Sequence, residues 1–221
     1  HAKEMGGEIP SEPVLFMKAS SAWSGPHDDV IIPRGGTKMD YEVELALVIG
    51  RTASCIDERE ALDHVAGYSV FCDYSERSFQ LETGGQWTKG KSADSFAPMG
   101  PWLVTGDEVA DPQKLRLWCK VNGELRQNSW TGDMMCSVRQ LVAYISRFMT
   151  LLPGDVVATD ALTYPGFKVL AEAHRLELAP LLKDLIRTHP RDLLIERMQA
   201  DPSKASLFTA TNAIGLPESI A

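Results

Sequence analysis

Apolar and acidic side chains alternate along residues 40–50, which show the clearest strand pattern in the chain. Successive side chains of a β-strand point to opposite faces, so Glu42 and Glu44 share one face, and the other face is apolar from Tyr41 to Ile49. Two carboxylates on one face of a buried strand require a cation or another neutralising partner. The pattern therefore indicates a divalent metal site. An edge strand with one solvated face is the alternative.

A second strand pattern covers residues 67–72 and ends at Asp73. If this strand lies beside the first, Asp73 joins Glu42 and Glu44 in a set of three carboxylates. An all-oxygen set with open positions suits Mg²⁺ or Mn²⁺ and suits zinc poorly. The sequence therefore predicts one Mg²⁺ or Mn²⁺ bound by Glu42, Glu44 and Asp73.

The other patterns mix strands, turns and helices. The predicted strands are residues 14–17, 102–105, 115–121 and 156–158, and the predicted helices are residues 57–65 and 137–148. The pair Asn122-Gly123 predicts a hairpin turn. Residues 74–100 are polar and glycine-rich, which is typical of a long functional loop. Further along the chain the pattern becomes helical, and the predicted helices there are residues 167–178, 181–187 and 193–198.

Composition narrows the function classes. The chain has 221 residues, 44% of them hydrophobic, so it is long enough for one large domain or two small ones. A formal net charge of -8 argues against a nucleic-acid-binding surface. No apolar run approaches the roughly 20 residues of a membrane span. We find neither a signal-peptide pattern nor a close pair among the four cysteines, so we expect a reduced, cytoplasmic protein.

Two further pairs of residues are candidates for chemistry. Arg77 and Gln80 follow Asp73 at positions i+4 and i+7, so a helical turn would place all three on one face. Arg77 could then clamp a substrate carboxylate, or it could form a salt bridge to the metal-binding carboxylates. His1 and Glu4 have the i, i+3 spacing at which a carboxylate can orient a general base, although a solvated terminal histidine has the same pattern.

Six segments resemble, in order, the fumarylacetoacetate hydrolase family. They are HAKEMG (1–6), DYEVELA (40–46), GYSVFCDYSERSFQ (67–80), KGKSADSFAPMGP (89–101), VNGE (121–124) and LPGDVVAT (152–159). The segments DDVIIP (28–33) and WTKGK (87–91) resemble the subgroup labelled diketo-deoxyrhamnonate hydrolase or ureidoglycolate lyase. The resemblance implies an α+β fold, a mixed β-roll with few helices, and a homodimer.

The resemblance also implies a role for each candidate residue. Glu42, Glu44 and Asp73 match the metal-binding carboxylates, and Arg77 and Gln80 match substrate-binding residues. The implied catalytic residues are His1 and Glu4 on a mobile lid and Lys91 beside the substrate. The implied reaction begins when His1 and Glu4 activate a water molecule, which attacks an acylpyruvate. Carbon–carbon cleavage then gives pyruvate and a carboxylic acid. The expected binding partner is thus a small oxo acid, and we expect the protein to bind neither nucleic acid nor a membrane.

The resemblance ends after residue 159, which divides the chain into a catalytic domain (1–159) and an atypical, possibly fused helical tail (160–221). Where the family has a Thr-Gly-Thr-Pro loop, this chain continues with Asp160 and Ala161. The segments DALTYPGFK (160–168) and TNAIG (211–215) instead resemble parts of the aminotransferase-like domain of GntR/MocR-type regulators. The altered tail leaves three alternatives open: a lyase of the ureidoglycolate type, an isomerase or decarboxylase on the same scaffold, or a catalytically inactive metal-binding homologue.

Overall fold

A computed structural model describes residues 12–160 and the backbone of strand Leu207–Thr211. Its main sheet has six strands: β1 (Val14–Lys18), β4 (Val43–Ile49), β5 (Val65–Cys72), β8 (Val104–Thr105), β11 (Val156–Asp160) and β12 (Leu207–Thr211). Their order across the sheet is β1-β12-β11-β4-β5-β8. Strands β11 and β12 are parallel and the other neighbours are antiparallel, so the sheet is mixed, as predicted.

Three two-stranded sheets accompany the main sheet. They are formed by β2 (Trp23–Ser24) with β7 (Ala97–Pro98), β3 (Met39–Asp40) with β6 (Ser75–Glu76), and β9 (Arg116–Val121) with β10 (Glu124–Trp130). Strands β9 and β10 form the predicted hairpin, with Asn122 and Gly123 at its turn, both at positive φ. The mixed α+β architecture is therefore confirmed.

The described residues contain three short α-helices. Helix α1 is Arg77–Leu81, α2 is Trp87–Lys91 and α3 is Val138–Ser146. The predicted helix at 137–148 is thus confirmed as α3, where Ser137 and Gln140 form a capping box and Leu141 and Ile145 lie in the core.

Two sequence predictions of local structure were wrong. Residues 74–100 are not one long loop, because they contain α1 and α2 as well as β6 and β7. The helix predicted at residues 57–65 is reduced to a 3₁₀ turn at Ala61–His64, and β5 begins directly at Val65. In both places short-range polarity favoured the wrong element, and tertiary pairing decided the outcome.

The tail contributes a strand, which the sequence did not predict. The tail was predicted to be helical, but β12 pairs with β11 on one side and with β1 on the other. Strand β11 is buried along its whole length, so its backbone groups need ladder partners that a packed helix cannot supply. The helices predicted at 167–178, 181–187 and 193–198 lie outside the described residues.

The main core includes the central strands of the main sheet, β11 and β4, and the neighbouring β5. All seven residues of β4 are buried, and so are β11 and most of β5. A strand buried on both faces explains why Glu44, near the start of β4, has only 1% of its surface exposed. Within the described ranges, no helix has both the length and the apolar character that crossing a membrane requires.

The cysteines give a first testable prediction. Cys55 is exposed, whereas Cys72 and Cys119 are buried, and burial raises the pKa of the Cys119 thiol to about 12. Because the thiolate is the reactive form, a thiol reagent at pH 8 should label Cys55 rapidly and label Cys72 and Cys119 only on unfolding. Cys136 is partly exposed, so the test uses a Cys136→Ser background, in which Cys55→Ser should remove the fast phase. Fast labelling that persists in the double variant would contradict the buried placement of Cys72 and Cys119.

Candidate active site

Strands β4 and β5 bring the three predicted metal-binding carboxylates together. Val43 pairs with Cys72 and Glu44 with Phe71, so the same register places Glu42 opposite Asp73. The Asp73 N–H donates to the Glu42 carbonyl oxygen at 2.8 Å, which extends the ladder by one residue beyond the strands. The two strands are therefore neighbours, which is the condition for Asp73 to lie near Glu42 and Glu44.

Two buried lysines neutralise Asp73 from opposite sides. Lys91 Nζ donates to Asp73 Oδ2 at 2.5 Å and also to Glu42 Oε2. Lys18 Nζ donates to Asp73 Oδ1 at 2.5 Å and to the Tyr74 carbonyl oxygen at 3.1 Å. Neither the Lys18 nor the Asp73 side chain has any exposed surface. Both oxygens of Asp73 are thus paired with a protein cation.

Arg77 neutralises Glu42 and a further carboxylate, Asp40. Its Nη2 donates to Glu42 Oε1 at 2.7 Å and to Asp40 Oδ2 at 2.7 Å, and its Nε donates to Asp40 Oδ2 at 2.9 Å. Its Nη1 donates to Gln80 Oε1 at 2.7 Å. The salt bridge to the carboxylates, one of the two alternatives for Arg77, is therefore present.

Glu44 is the exception in this network. Its Oε2 is buried and has no hydrogen-bond partner among the described residues. Burial raises the pKa of Glu44 well above its usual value, and the nearby Asp73 and Asp160 raise it further. Asp160 stands opposite Glu44 in the β11–β4 register. An unpaired carboxylate oxygen beside two other carboxylates is a place where a cation would lower the energy.

The charges of the other groups follow from their partners. Burial opposes ionisation of Glu42, yet Arg77 and Lys91 together hold its pKa below the usual range. Burial likewise opposes the charge on Lys91, but Asp73 and Glu42 raise its pKa. For Lys18 burial wins, and its pKa is lowered despite Asp73. Lys91 is thus the better-compensated cation of the two.

These residues have the donor chemistry of a site for a hard divalent cation. Glu42, Glu44 and Asp73 supply only oxygen donors, and the orphaned Glu44 oxygen is buried among them. In residues 12–160 no three acidic, histidine or cysteine side chains already form a metal-ligand set. Lys91 and Arg77 instead hold the Glu42 oxygens, so a bound cation would compete with them for the charge of Glu42.

The structure places six of the eight predicted site residues in one network: Glu42, Glu44, Asp73, Arg77, Gln80 and Lys91. The other two, His1 and Glu4, lie outside the described residues. Sequence reasoning missed Lys18 and Asp40. Lys18 is the last residue of strand β1, just as Asp73 comes directly after β5. A charged residue at the end of a short apolar strand was the sequence signal that could have identified Lys18 as a site residue.

Strand β1 also contacts Lys91, through the ring of Phe16. The Phe16 ring centroid lies 5.0 Å from Lys91 Nζ and 5.4 Å from the Trp87 ring centroid. The contact with Lys91 is a cation–π interaction, and the aromatic pair ties β1 to helix α2. The apolar pattern of residues 14–17 predicted the strand but not this contact.

A buried network of carboxylates, lysines and an arginine where two sheet strands end is typical of an enzyme site, and sequence comparison gives the family. The family model described as fumarylacetoacetate (FAA) hydrolase C-terminal matches residues 1–182. The chain belongs to this family, whose members are enzymes and typically use a divalent metal. The match extends past residue 159, where the resemblance was expected to end.

Individual relatives agree with this assignment. A curated protein of Burkholderia ambifaria named "Putative hydrolase" is 55% identical over 166 residues, which are 75% of this chain and 58% of that relative. The solved structure of 5-carboxymethyl-2-hydroxymuconate delta-isomerase from Mycobacterium smegmatis is similar at 40% identity and a TM-score of 0.65, covering 72% of this chain and 61% of the other. Fumarylacetoacetate hydrolase from Exiguobacterium antarcticum is 42% identical with a TM-score of 0.65, covering 72% and 57%. This chain therefore spans little more than half the length of its first curated relative.

Proposed function

We propose that the protein is a divalent-metal-dependent hydrolase that cleaves a carbon–carbon bond in an acylpyruvate-type 2,4-dioxo acid. Water and the acylpyruvate would give pyruvate and a carboxylic acid. The observation that carries the proposal is the buried network of Glu42, Glu44 and Asp73, with Lys91 and Arg77 at its edge. Family membership supports an enzyme at this site.

Glu42, Glu44 and Asp73 are the residues that would hold Mg²⁺ or Mn²⁺. Such an ion acts as a Lewis acid toward the oxygens of an oxo acid. The residues suit this role because Lys91 links Glu42 to Asp73, because Glu44 interacts with Asp73 through its charge, and because the surrounding cations keep Glu42 ionised. The ion would also supply a partner for the Glu44 oxygen that has no hydrogen bond among the described residues.

Lys91 and Arg77 would bind the anionic end of the substrate. Each holds a Glu42 oxygen in the structure, so each has a buried positive charge at the place where the site must accept an oxo acid. A guanidinium matches a carboxylate in bidentate fashion, and an ammonium acts as a compact point charge. Lys91 would also stabilise the negative charge that develops on the leaving pyruvate enolate.

His1 and Glu4 would activate the attacking water from a lid. A histidine oriented by a carboxylate accepts a proton near neutral pH, and a closing lid excludes all other water from the reacting carbon. This part of the proposal rests on the family resemblance of residues 1–6, which lie outside the described part of the chain.

A metal-titrated assay of acylpyruvate cleavage tests the proposal. Wild-type protein should release pyruvate in proportion to bound Mn²⁺ or Mg²⁺ and lose all turnover in chelator. His1→Ala should lower kcat by about 100-fold or more, the contribution of general base catalysis, while leaving Mn²⁺ affinity nearly unchanged. Absence of pyruvate release across a panel of acylpyruvates would reject the hydrolase. Equal loss of metal affinity in His1→Ala would reject the lid assignment.

An isomerase is the second candidate, because a similar solved protein is titled a hydroxymuconate delta-isomerase. The same residues could take a proton from one carbon of a hydroxydienoate and return it to another, which moves a double bond and leaves every carbon–carbon bond in place. Product analysis separates the two reactions, since isomerisation keeps the substrate's mass and hydrolysis divides it. We also propose, from the family resemblance, that the protein acts as a homodimer.

A further inference from the structure

Asp40 grips the same guanidinium group that Glu42 holds. Its Oδ2 accepts from both Nε and Nη2 of Arg77, at 2.9 and 2.7 Å, whereas Glu42 Oε1 accepts from Nη2 alone. The Asp40 side chain is 9% exposed and that of Arg77 is 10% exposed. Asp40 is thus the stronger anchor of Arg77, although neither the sequence patterns nor the family resemblance gave it a role.

The backbone holds this pair in place from both sides. Asp40 lies opposite Ser75 in the β3–β6 ladder, and the Arg77 N–H donates to the Lys38 carbonyl oxygen at 2.9 Å. The second oxygen of Asp40 accepts from the Tyr41 N–H at 2.9 Å. With its oxygens and backbone fixed in this way, Asp40 keeps one orientation, as a positioning group requires.

The need for such an anchor follows from the place of Glu42. Glu42 is a predicted metal-binding carboxylate, so any cation that it binds competes with Arg77 for its charge. With Glu42 as its only carboxylate, Arg77 would keep just the neutral Gln80 as a partner when the metal ion takes the charge of Glu42. A second carboxylate outside the metal-binding set removes that dependence, because Arg77 keeps its Nε and Nη2 bonds to Asp40.

We propose that Asp40 is a positioning residue that keeps Arg77 aligned to bind the substrate carboxylate while Glu42 binds the metal ion. This inference rests on the proposed function for the role of Arg77. Two carboxylates only two residues apart would thus have different roles. Asp40 would orient Arg77 for substrate binding, and Glu42 would bind the metal ion.

Calorimetry with Mn²⁺ alone, and then with oxalate added to the Mn²⁺-loaded protein, separates the two roles. Asp40→Asn should weaken oxalate binding by about tenfold or more, because a charge-assisted anchor of the guanidinium is lost. Its Mn²⁺ affinity should change much less than its oxalate affinity, because Asp40 bonds to Arg77 and is linked to Glu42 only by charge and through the shared Nη2 group. Asp40→Glu should recover part of the oxalate affinity.

Arg77→Met provides the decisive background. If Asp40 acts through Arg77, then adding Asp40→Asn to Arg77→Met should cause no further loss of oxalate affinity. Asp155→Asn is the matched control, because Asp155 is buried and accepts from the Leu152 N–H at 2.8 Å in a turn of the chain. It should lower the melting temperature without changing either ligand's affinity.

Several outcomes would overturn the inference. They are an unchanged oxalate affinity in Asp40→Asn, an equal loss of Mn²⁺ and oxalate affinity, an undiminished effect in Arg77→Met, and a wild type that binds neither ligand. A different result would reject only the proposed reaction. If no dioxo acid is cleaved but the Asp40–Arg77 coupling for oxalate persists, the positioning role stands and the hydrolase assignment fails.

Discussion

Glu44→Gln should abolish Mn²⁺ binding and at the same time stabilise the metal-free protein. The substitution keeps the shape of the side chain and removes its charge. Metal binding is lost because a buried oxygen donor of the predicted set loses that charge. The apo protein gains because the buried Glu44 Oε2 has no hydrogen-bond partner among the described residues and faces Asp73 and Asp160. Relief of an uncompensated buried charge should be worth about 1 kcal/mol or more.

Paired measurements of metal affinity and unfolding check this prediction. Calorimetry should show Mn²⁺ binding to wild type only, and Mn²⁺ should raise the melting temperature of wild type only. Glu76→Gln is the control, since Glu76 is also buried but accepts hydrogen bonds from the Lys38 and Ser78 N–H groups. Glu76→Gln should lower stability and keep Mn²⁺ binding. Equal Mn²⁺ affinity for wild type and Glu44→Gln would refute the site.

The pH dependence of the stabilisation has a definite sign. An unfolded chain loses the Glu44 proton near pH 4.5, whereas burial and the neighbouring carboxylates raise the pKa in the folded chain. Rising pH therefore favours the unfolded state of wild type between these two values, because the unfolded state binds fewer protons there. The advantage of Glu44→Gln should be larger at pH 8 than at pH 5. The opposite trend would show that Glu44 is ionised and compensated in the folded protein.

The part of the site that the sequence predicted is the part that local geometry determines. Alternation along one strand put Glu42 and Glu44 on one face. A carboxylate at the end of the next strand along the chain then met them, since an antiparallel register places residues 42 and 73 opposite each other. These relations need only the strand period and the adjacency of two consecutive main-sheet strands, and both can be estimated from a single sequence.

The cationic side of the network lay beyond such reasoning. Lys18 meets Asp73 across 55 positions of the chain, and a lysine at a strand end is ordinarily solvated. From the sequence, Arg77 could pair with a substrate carboxylate or with carboxylates of the protein. Only the fold, through the β3–β6 ladder, shows that both Asp40 and Glu42 accept hydrogen bonds from Arg77. Charge pairing at long range depends on which segments the fold brings together. A periodic pattern does not contain that information.

The tail shows the same limit at the level of the fold. Residues after 159 were predicted to be helical, yet residues 207–211 enter the main sheet as a strand between two others. Within the described residues, β1 has no other strand partner than β12. Strand β1 carries Phe16 and Lys18 to the site, and these residues pair with Thr209 and Leu207. The position of both side chains therefore depends on a segment near the other end of the sequence.

Thr209→Pro should therefore destabilise the protein and loosen β1 in particular. Thr209 pairs with Phe16 on one side and with Ala158 on the other, and proline removes the backbone N–H that one of these neighbours needs. A ladder group left unpaired in a buried sheet costs about 1–3 kcal/mol. Thr209→Val is the control, because it keeps the N–H and suits a strand. Hydrogen exchange should accelerate in Val14–Lys18 and Val156–Asp160 and much less in β5.

A truncation ending at Thr159 applies the same reasoning to the whole tail. It removes β12, exposes the edges of β1 and β11, and should cause aggregation or a large loss of stability. Oxalate binding to the Mn²⁺-loaded Thr209→Pro protein should also weaken, since Lys18 holds Asp73 only while β1 stays in place. If both variants remain soluble, monodisperse and as stable as wild type, residues 160–221 are an independent appendage. The site would then be complete within residues 1–159.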